Sequence, residues 1–451
     1  MHALKTPPSE NYVPPNEICD IIKHLPPAKA PGEDGITNKA LKHLPKIAIV
    51  LLANIYTSCF RHSYFPDQWK KALVVMIPKP RKNHQIPDNH RPISLLNTMS
   101  KIFERIILRK LNNHIQIRYE QHAFRTGHST TTQLITLTDE LTLRAKERKK
   151  TAAIFLDVAK AFDRVWHQGL IHKIMHANVP IPLVKLIESF LCNRTFKIKI
   201  LDFISTHRKV EAGVPQGSCL SPILYSVYIN DLPTIGPAKL ALFADDTLLY
   251  TSNHNYKYAV MALQRQLNTT TAWLAKWRIQ LNISKTVAVI FGPQHKNYDM
   301  KLSIQNQNIE WSKHAKYLGV IFSHNLSFEK HVHAIINKAR GARAALYPVL
   351  NRNSSIPLTS RLTIYKIYVR PIILYAAPIW RHLIGPTSWT KIEAFQNVSL
   401  RTITGAHYLV NNRNLRNSTS IPSLQEEALR LSKSLAHKLS NSKHPHLSAL
   451  T

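Results

Sequence analysis

Acidic residues are scarce. Only 26 Asp and Glu stand against 60 Lys and Arg in 451 residues, a formal charge of +34 with the histidines neutral. A compact chain with that excess repels itself unless a polyanion is its usual partner, and nucleic acid is the commonest one. An anionic membrane surface would call for a basic amphipathic helix or a lipid anchor, and no terminal motif supplies either. Cysteine is scarce too: Cys19, Cys59, Cys192 and Cys219 form no CxxC pair and no zinc-knuckle spacing. That speaks against structural zinc and for buried free thiols in a reducing compartment. Long apolar runs are missing. The uncharged stretch 47–60 falls short of the ~18 residues a membrane-spanning helix needs, and 212–230 is broken by Pro215, Gly217 and Pro222. No transmembrane segment is expected, and the polar, proline-rich residues 1–15 lack the apolar core of a signal peptide.

What is present suffices for folding. With 44% apolar and 19% charged residues, the chain can bury large cores, and roughly two to four domains or subdomains are expected at this length. Short apolar runs at 72–77, 152–158 and 287–291 read as strands, and 196–200 as a strand opening a hairpin. Helical spacing marks a helix beginning near Asn38 and the segments 48–60, 102–111, 131–150, 161–167 and 258–277. Leu240 to Phe243 and Thr247 to Tyr250 read as a hairpin with Asp245 and Asp246 at its tip. Strands alternating with helices and hairpins, without a glycine-rich first turn, indicate an α+β sheet domain. Beyond about Asn325 the pattern turns helical. Between Lys301 and Arg381 twelve Lys or Arg face only Glu310 and Glu329, which suits a duplex backbone lying across the segment.

Adjacent carboxylates raise each other's proton affinity unless a cation sits between them. Asp245 and Asp246 therefore call for positive compensation. Hard divalent ions prefer carboxylate oxygens, and two such ions about 3.5–4 Å apart can stabilise both the attacking and departing oxygens of a phosphoryl transfer. Asp157, ending another strand, would supply a third carboxylate if the two strands are sheet neighbours. An Asp pair in a turn is by itself structurally ordinary.

The surrounding motifs add to this. Asn89-His90-Arg91-Pro92-Ile93-Ser94-Leu95-Leu96-Asn97 and Phe124-Arg125-Thr126-Gly127-His128-Ser129-Thr130-Thr131 precede Phe155-Leu156-Asp157-Val158-Ala159-Lys160-Ala161-Phe162-Asp163-Arg164-Val165. Then follow Gly213-Val214-Pro215-Gln216-Gly217-Ser218, Phe243-Ala244-Asp245-Asp246, Asn282-Ile283-Ser284-Lys285-Thr286 and Tyr317-Leu318-Gly319-Val320. In this order the series resembles the reverse transcriptases of non-LTR (LINE-type) retrotransposons, especially the jockey-like group.

The resemblance implies an α+β right-hand polymerase with an antiparallel palm sheet: fingers and palm over 16–322, a helical basic thumb over 323–385, and a helical C-terminal tail of unassigned role over 386–451. It implies an RNA-directed DNA polymerase working on an RNA template, a DNA primer and dNTPs, with action in the nucleus. Asp157, Asp245 and Asp246 would hold two Mg2+ ions, with Mn2+ an alternative. Phe162 matches the family's steric gate against a ribose 2'-hydroxyl, which disfavours RNA synthesis. Gln216 and Gly217 match the nucleotide pocket, where glycine permits close backbone approach. Lys79 and Arg91 fall where the family sets cations against the triphosphate. Lys285 matches a lysine acting as general acid toward pyrophosphate. Asp163 reads as a helix-start charge.

Departures from the family bear on the reading. Family members usually carry an endonuclease ahead of the polymerase, whereas here only 88 residues precede the first of these motifs, at Asn89, so target nicking is not expected of this chain. Neither a Cys/His knuckle nor a ribonuclease H constellation follows, and the chain resembles one part of a longer element protein or a truncated copy. The alternative is a catalytically inactive, nucleic-acid-binding remnant, against which the intact Asp157, Asp245 and Asp246 weigh.

Overall fold

The computed structural model describes residues 11–80, 82–293, 298–442 and 444–448, so most of the proline-rich start lies outside it. In chain order the strands of the two larger sheets are β1 (Lys71–Pro78), β2 (His90–Leu96), β3 (Lys150–Leu156), β4 (Thr195–Ile200), β5 (Phe203–Ile204), β6 (Arg208–Lys209), β7 (Lys239–Phe243), β8 (Asp246–Asn253) and β9 (Val287–Phe291). The residues gather into two units that interleave along the chain. The first comprises Met1–Arg118, Val158–Pro233 and Ala272–Gln280; the second comprises Tyr119–Asp157, Thr234–Thr271 and Leu281–Thr451. The expected α+β class holds. Among the described residues no helix is long and apolar enough to cross a membrane.

The first unit carries a mixed sheet in the order β2-β1-β4-β5, with β6 also on β4. β1 runs antiparallel to β2 and parallel to β4. The helix Thr98–Asn112 starts where the Asn97 side chain accepts the Met99 and Ser100 N–H groups, a cap that satisfies two otherwise orphan donors. Ile102, Phe103, Ile106, Ile107 and Leu111 then recur on one face and are wholly buried. Phe103 stacks on Tyr56 at 5.1 Å and meets Phe65 and Trp69 edge-on or tilted. Burying such a ring stabilises the unit by roughly 2–3 kcal/mol. Glu104 breaks the apolar face, and its carboxylate is fully buried.

The second unit carries an antiparallel sheet in the order β7-β8-β3-β9. β3 is central and Thr151 to Leu156 are buried throughout, which explains its unbroken apolar run: no strand face is left for water. The helix Thr130–Lys146 opens with a capping box between Ser129 and Thr132. The helices Glu329–Ala345, Pro386–Thr404 and Leu424–Ser440 share one apolar core with the sheet, from Leu134 through Phe155 and Tyr317 to Ile403 and Ala428.

Of the four thiols expected to be buried, only Cys59 is, with Cys19 and Cys192 exposed and Cys219 partly so. Three further local expectations need correction. The helix expected over 131–150 ends at Lys146, because Arg148 takes a left-handed φ of 57° and Lys150 already belongs to β3. The helical phrase at 161–167 is a single 3-10 turn, Phe162–Arg164, with the helix beginning at His167. Two small hairpins, Leu302–Ile304 with Gln307–Ile309 and His314–Tyr317 with Val320–Ser323, were not foreseen. In the latter, Leu318 and Gly319 both have positive φ, the two-residue turn that matches strand twist.

Candidate active site

β3 and β8 fix the carboxylates. Their antiparallel register pairs Leu156 with Thr247, so one further step sets Asp157 opposite Asp246, the first residue of β8. Phe243 pairs with Asp246, leaving Ala244 and Asp245 as the turn. Asp157, Asp245 and Asp246 are thereby brought together in the second unit. Asp246 keeps part of its surface in solvent, yet its carboxyl is pushed up to about 6, first by desolvation and then by the charges of Asp245 and Asp157. The shift has the sign that three neighbouring carboxylates require. This donor set, three carboxylates sharing one charge problem, fits hard divalent cations.

Lys285 belongs to the same group. Its Nζ lies 3.6 Å from Asp157 Oδ2, with the two side chains 66% and 41% exposed, so the ammonium remains free to turn. Its position is fixed by backbone: Asn282 N–H donates to the Asp157 carbonyl at 2.8 Å, and Lys285 N–H to the Asn282 carbonyl.

The other sequence-derived candidates lie in the first unit and form a continuous set there. Phe162 stacks on Tyr225 at 4.7 Å, and its carbonyl accepts the Val214 N–H. Gln216 Nε2 donates to Asp163 Oδ1 at 2.9 Å. Asp163 thus anchors the Gln216 amide, where the sequence suggested only a helix-start charge. The Gln216 carbonyl accepts the Ser94 N–H of β2. Gly217, at φ 136°, lies so close to β2 that a Cβ would stand 2.3 Å from the Ser94 carbonyl oxygen. The close approach that demands glycine is therefore to the chain's own strand.

Asp163, Gly213 and Gln216 line a cavity of about 310 Å³ with Met76, Pro92 and Ser94. Arg91 pairs with Ile77 across β1 and β2 and is exposed. Lys79 gives its Nζ proton to the Asp88 carbonyl at 2.7 Å. Asp88 also pairs with Lys160 at 2.9 Å, which ties the loop before Phe162 to the β1–β2 connection.

Two residues were missed. Gln121, buried, accepts the Ala123 and Ala244 N–H groups on its Oε1. Glu104 accepts the Ser100 hydroxyl on one oxygen and the Ser218 hydroxyl and Cys219 N–H, both at 2.6 Å, on the other. A lone acid on an apolar helix stripe was the available signal for Glu104.

The basic segment 301–381 is less uniform than its charge count. Lys330, Lys338 and Arg340 are exposed on the helix Glu329–Ala345. Arg361 instead donates to the carbonyls of Asn351 and Ile403, and Arg370, almost wholly buried, donates to that of Pro422.

Residues 77–322 match the family described as "Reverse transcriptase (RNA-dependent DNA polymerase)", more than half of the chain. Among curated relatives, "Probable RNA-directed DNA polymerase from transposon BS" of Drosophila melanogaster is 35% identical over 92% of this chain and 47% of its own length. "Probable RNA-directed DNA polymerase from transposon X-element" of the same organism is 35% identical over 92% and 46%. "RNA-directed DNA polymerase from mobile element jockey", also of D. melanogaster, is 32% identical over 94% and 47%. The chain spans about half the length of these relatives. With that match and relatives at this identity over nine-tenths of its length, the chain belongs to the reverse transcriptases.

Proposed function

We propose that the chain is the RNA-directed DNA polymerase portion of a jockey-like non-LTR retrotransposon protein, extending the 3'-hydroxyl of a DNA primer on an RNA template. The observation that carries this reading is the register setting Asp157 opposite Asp246 and beside Asp245. Asp157, Asp245 and Asp246 would hold two Mg2+ ions, which when bound supply charge neutralisation at the attacking and departing oxygens. The remaining work falls to protein groups. Lys285, beside Asp157, is the proton donor toward departing pyrophosphate. Gln216, steadied by Asp163, lies over the nucleotide, and the ring of Phe162, braced by Tyr225, meets a ribose 2'-hydroxyl and so favours dNTPs. Lys79 and Arg91 face the triphosphate. Residues 16–322 act as fingers and palm, 323–385 as thumb with Lys330, Lys338 and Arg340 toward the duplex, and action is nuclear.

Purified chain with oligo(dT)-primed poly(A), Mg2+ or Mn2+, and either dTTP or UTP tests this. Extension with dTTP, much weaker with UTP and lost in Asp245→Asn, is the expected result. Salt-sensitive duplex binding without extension under any of these conditions would favour the inactive remnant.

A further inference from the structure

Far from the carboxylates in sequence, three histidines converge in the second unit. His122 and His128 flank the turn before the helix Thr130–Lys146, and His446 lies in the short C-terminal helix Pro445–Ser448. One ring nitrogen from each lies within 4.8 Å of the others, and the Nε2 atoms of His128 and His446 are 3.0 Å apart. We propose that His122, His128 and His446 form a binding site for a zinc-class divalent ion, which clasps the C-terminal segment to the 121–130 loop.

The hydrogen bonds around the rings decide which nitrogens face inward. His128 Nδ1 lies 3.1 Å from the Thr126 carbonyl oxygen, an acceptor only, so Nδ1 carries the proton and Nε2 a lone pair. Thr132 Oγ1 gives its hydroxyl proton to the Ser129 carbonyl at 2.8 Å. It must therefore accept from His122 Nδ1 at 3.2 Å, and the His122 Nε2 is bare as well. Two imidazoles fixed by outward N–H bonds to oxygen are the arrangement that prepares histidine for a metal. His444 adds to this outer layer: its ring lies 4.5 Å from that of His128, and its Nε2 donates to the same Thr126 carbonyl at 3.2 Å.

Size and chemistry agree. Zinc–nitrogen bonds of about 2.0–2.1 Å in tetrahedral geometry separate donor atoms by about 3.3 Å, close to the His128–His446 spacing. Three imidazoles without a carboxylate among them suit Zn2+ rather than Mg2+, which demands oxygen. Burial keeps the rings neutral, His122 pushed down to about 3 and His128 to about 4, and neutral imidazole is the binding form. Arg125 opposes a dication here, whereas Glu120 favours positive charge at His446. His122 and His446 also line a cavity of about 200 Å³ with Tyr119 and Glu120. The cysteine spacing that argued against zinc does not bear on this all-histidine set.

The test uses untagged full chain loaded with Zn2+ in excess Mg2+ and then desalted. About one zinc per chain should remain by elemental analysis. X-ray absorption should show three imidazole nitrogens, and Co2+ in its place should give visible bands of a four- or five-coordinate ion. His446→Ala and His128→Gln should each weaken zinc retention at least tenfold, while the exposed His62→Ala leaves it unchanged. Wild-type chain that retains no zinc, a spectrum with fewer than three imidazoles, or equal retention by His446→Ala would each overturn the site. The wild-type spectrum decides even if a variant misfolds.

Discussion

The side-chain oxygen of Gln121 accepts the backbone N–H of Ala244 at 3.0 Å, so a residue more than a hundred positions away holds the turn that carries Asp245 and Asp246. Ala244 sits at φ 55°, a left-handed conformation that costs an alanine of order 1 kcal/mol and persists only where neighbours impose it. The same oxygen takes the Ala123 N–H at 2.9 Å, so one amide braces two loops. Gln121→Leu should fold, yet lose primer extension by roughly 10–100-fold through displaced carboxylates. Weaker Mn2+ binding, followed by calorimetry, should accompany the loss. Unchanged extension with normal Mn2+ affinity would show that the turn holds without Gln121.

The carboxylates were legible in the sequence because they combine two signals, an apolar strand on either side and a charge conflict at the tip. Their supports were not. Gln121 is polar, buried and attached to no periodicity, and what brings its side chain to the turn is an isolated bridge between Gln121 and Leu242 that no local pattern announces. Glu104 stood out only as an acid within the 102–111 stripe, because i, i+3, i+4 spacing identifies a stripe but not the partner that the stripe meets. Strand positions were legible to within a few residues where the runs were apolar on both faces, as in β3. The hairpins between Leu302 and Ser323 were not, since strands of three or four residues carry too few positions to show a period. The histidine cluster joins residues separated by more than three hundred positions, which no local pattern reveals.

Glu104 accepts three hydrogen bonds in a fully buried position, and two of them hold Ser218 and Cys219, immediately after the Gln216-Gly217 pair. Glu104→Leu leaves those donors unsatisfied and should lower stability by roughly 2–4 kcal/mol in urea unfolding. Glu104→Gln keeps an acceptor and should cost less. If the loop is held chiefly by this carboxylate, KM for dNTP should rise in Glu104→Gln at near-constant kcat. A variant as stable as wild type after Glu104→Leu would contradict this account.

Gly217 and Gly236 make a matched comparison. Both have positive φ, but a Cβ at Gly217 would lie 2.3 Å from the Ser94 carbonyl oxygen, whereas at Gly236 nothing stands within 4 Å. Gly236→Ala should cost only about 1 kcal/mol of backbone strain. Gly217→Ala adds a backbone clash that β2 can relieve only by moving, and should cost several times as much. Urea midpoints of the two variants measure the difference directly, and equal midpoints would mean that β2 yields freely.

His331 offers a pH test within the core of the second unit. The ring is 1% exposed. Ile321 N–H donates to its Nδ1 at 3.4 Å, so Nε2 carries the proton of a neutral ring, without a hydrogen-bond partner among the described residues. Trp380 lies alongside at 6.1 Å, and burial alone pushes the imidazole down to about 4. In the unfolded chain an ordinary histidine titrates near 6.5. Between those values the unfolded state binds a proton that the folded state refuses, so acid favours unfolding. The stability due to the neutral ring is complete above about pH 6.5 and lost as pH falls toward 4. At pH 5 the loss attributable to this residue should be about 2 kcal/mol. Comparing urea unfolding of wild type and His331→Phe at pH 7.5 and pH 5 isolates it, because other titrating groups cancel between the two proteins. Wild type should lose more stability than the variant on acidification. Equal losses would mean that the folded chain admits the proton at His331, through an opening of the core beside Trp380.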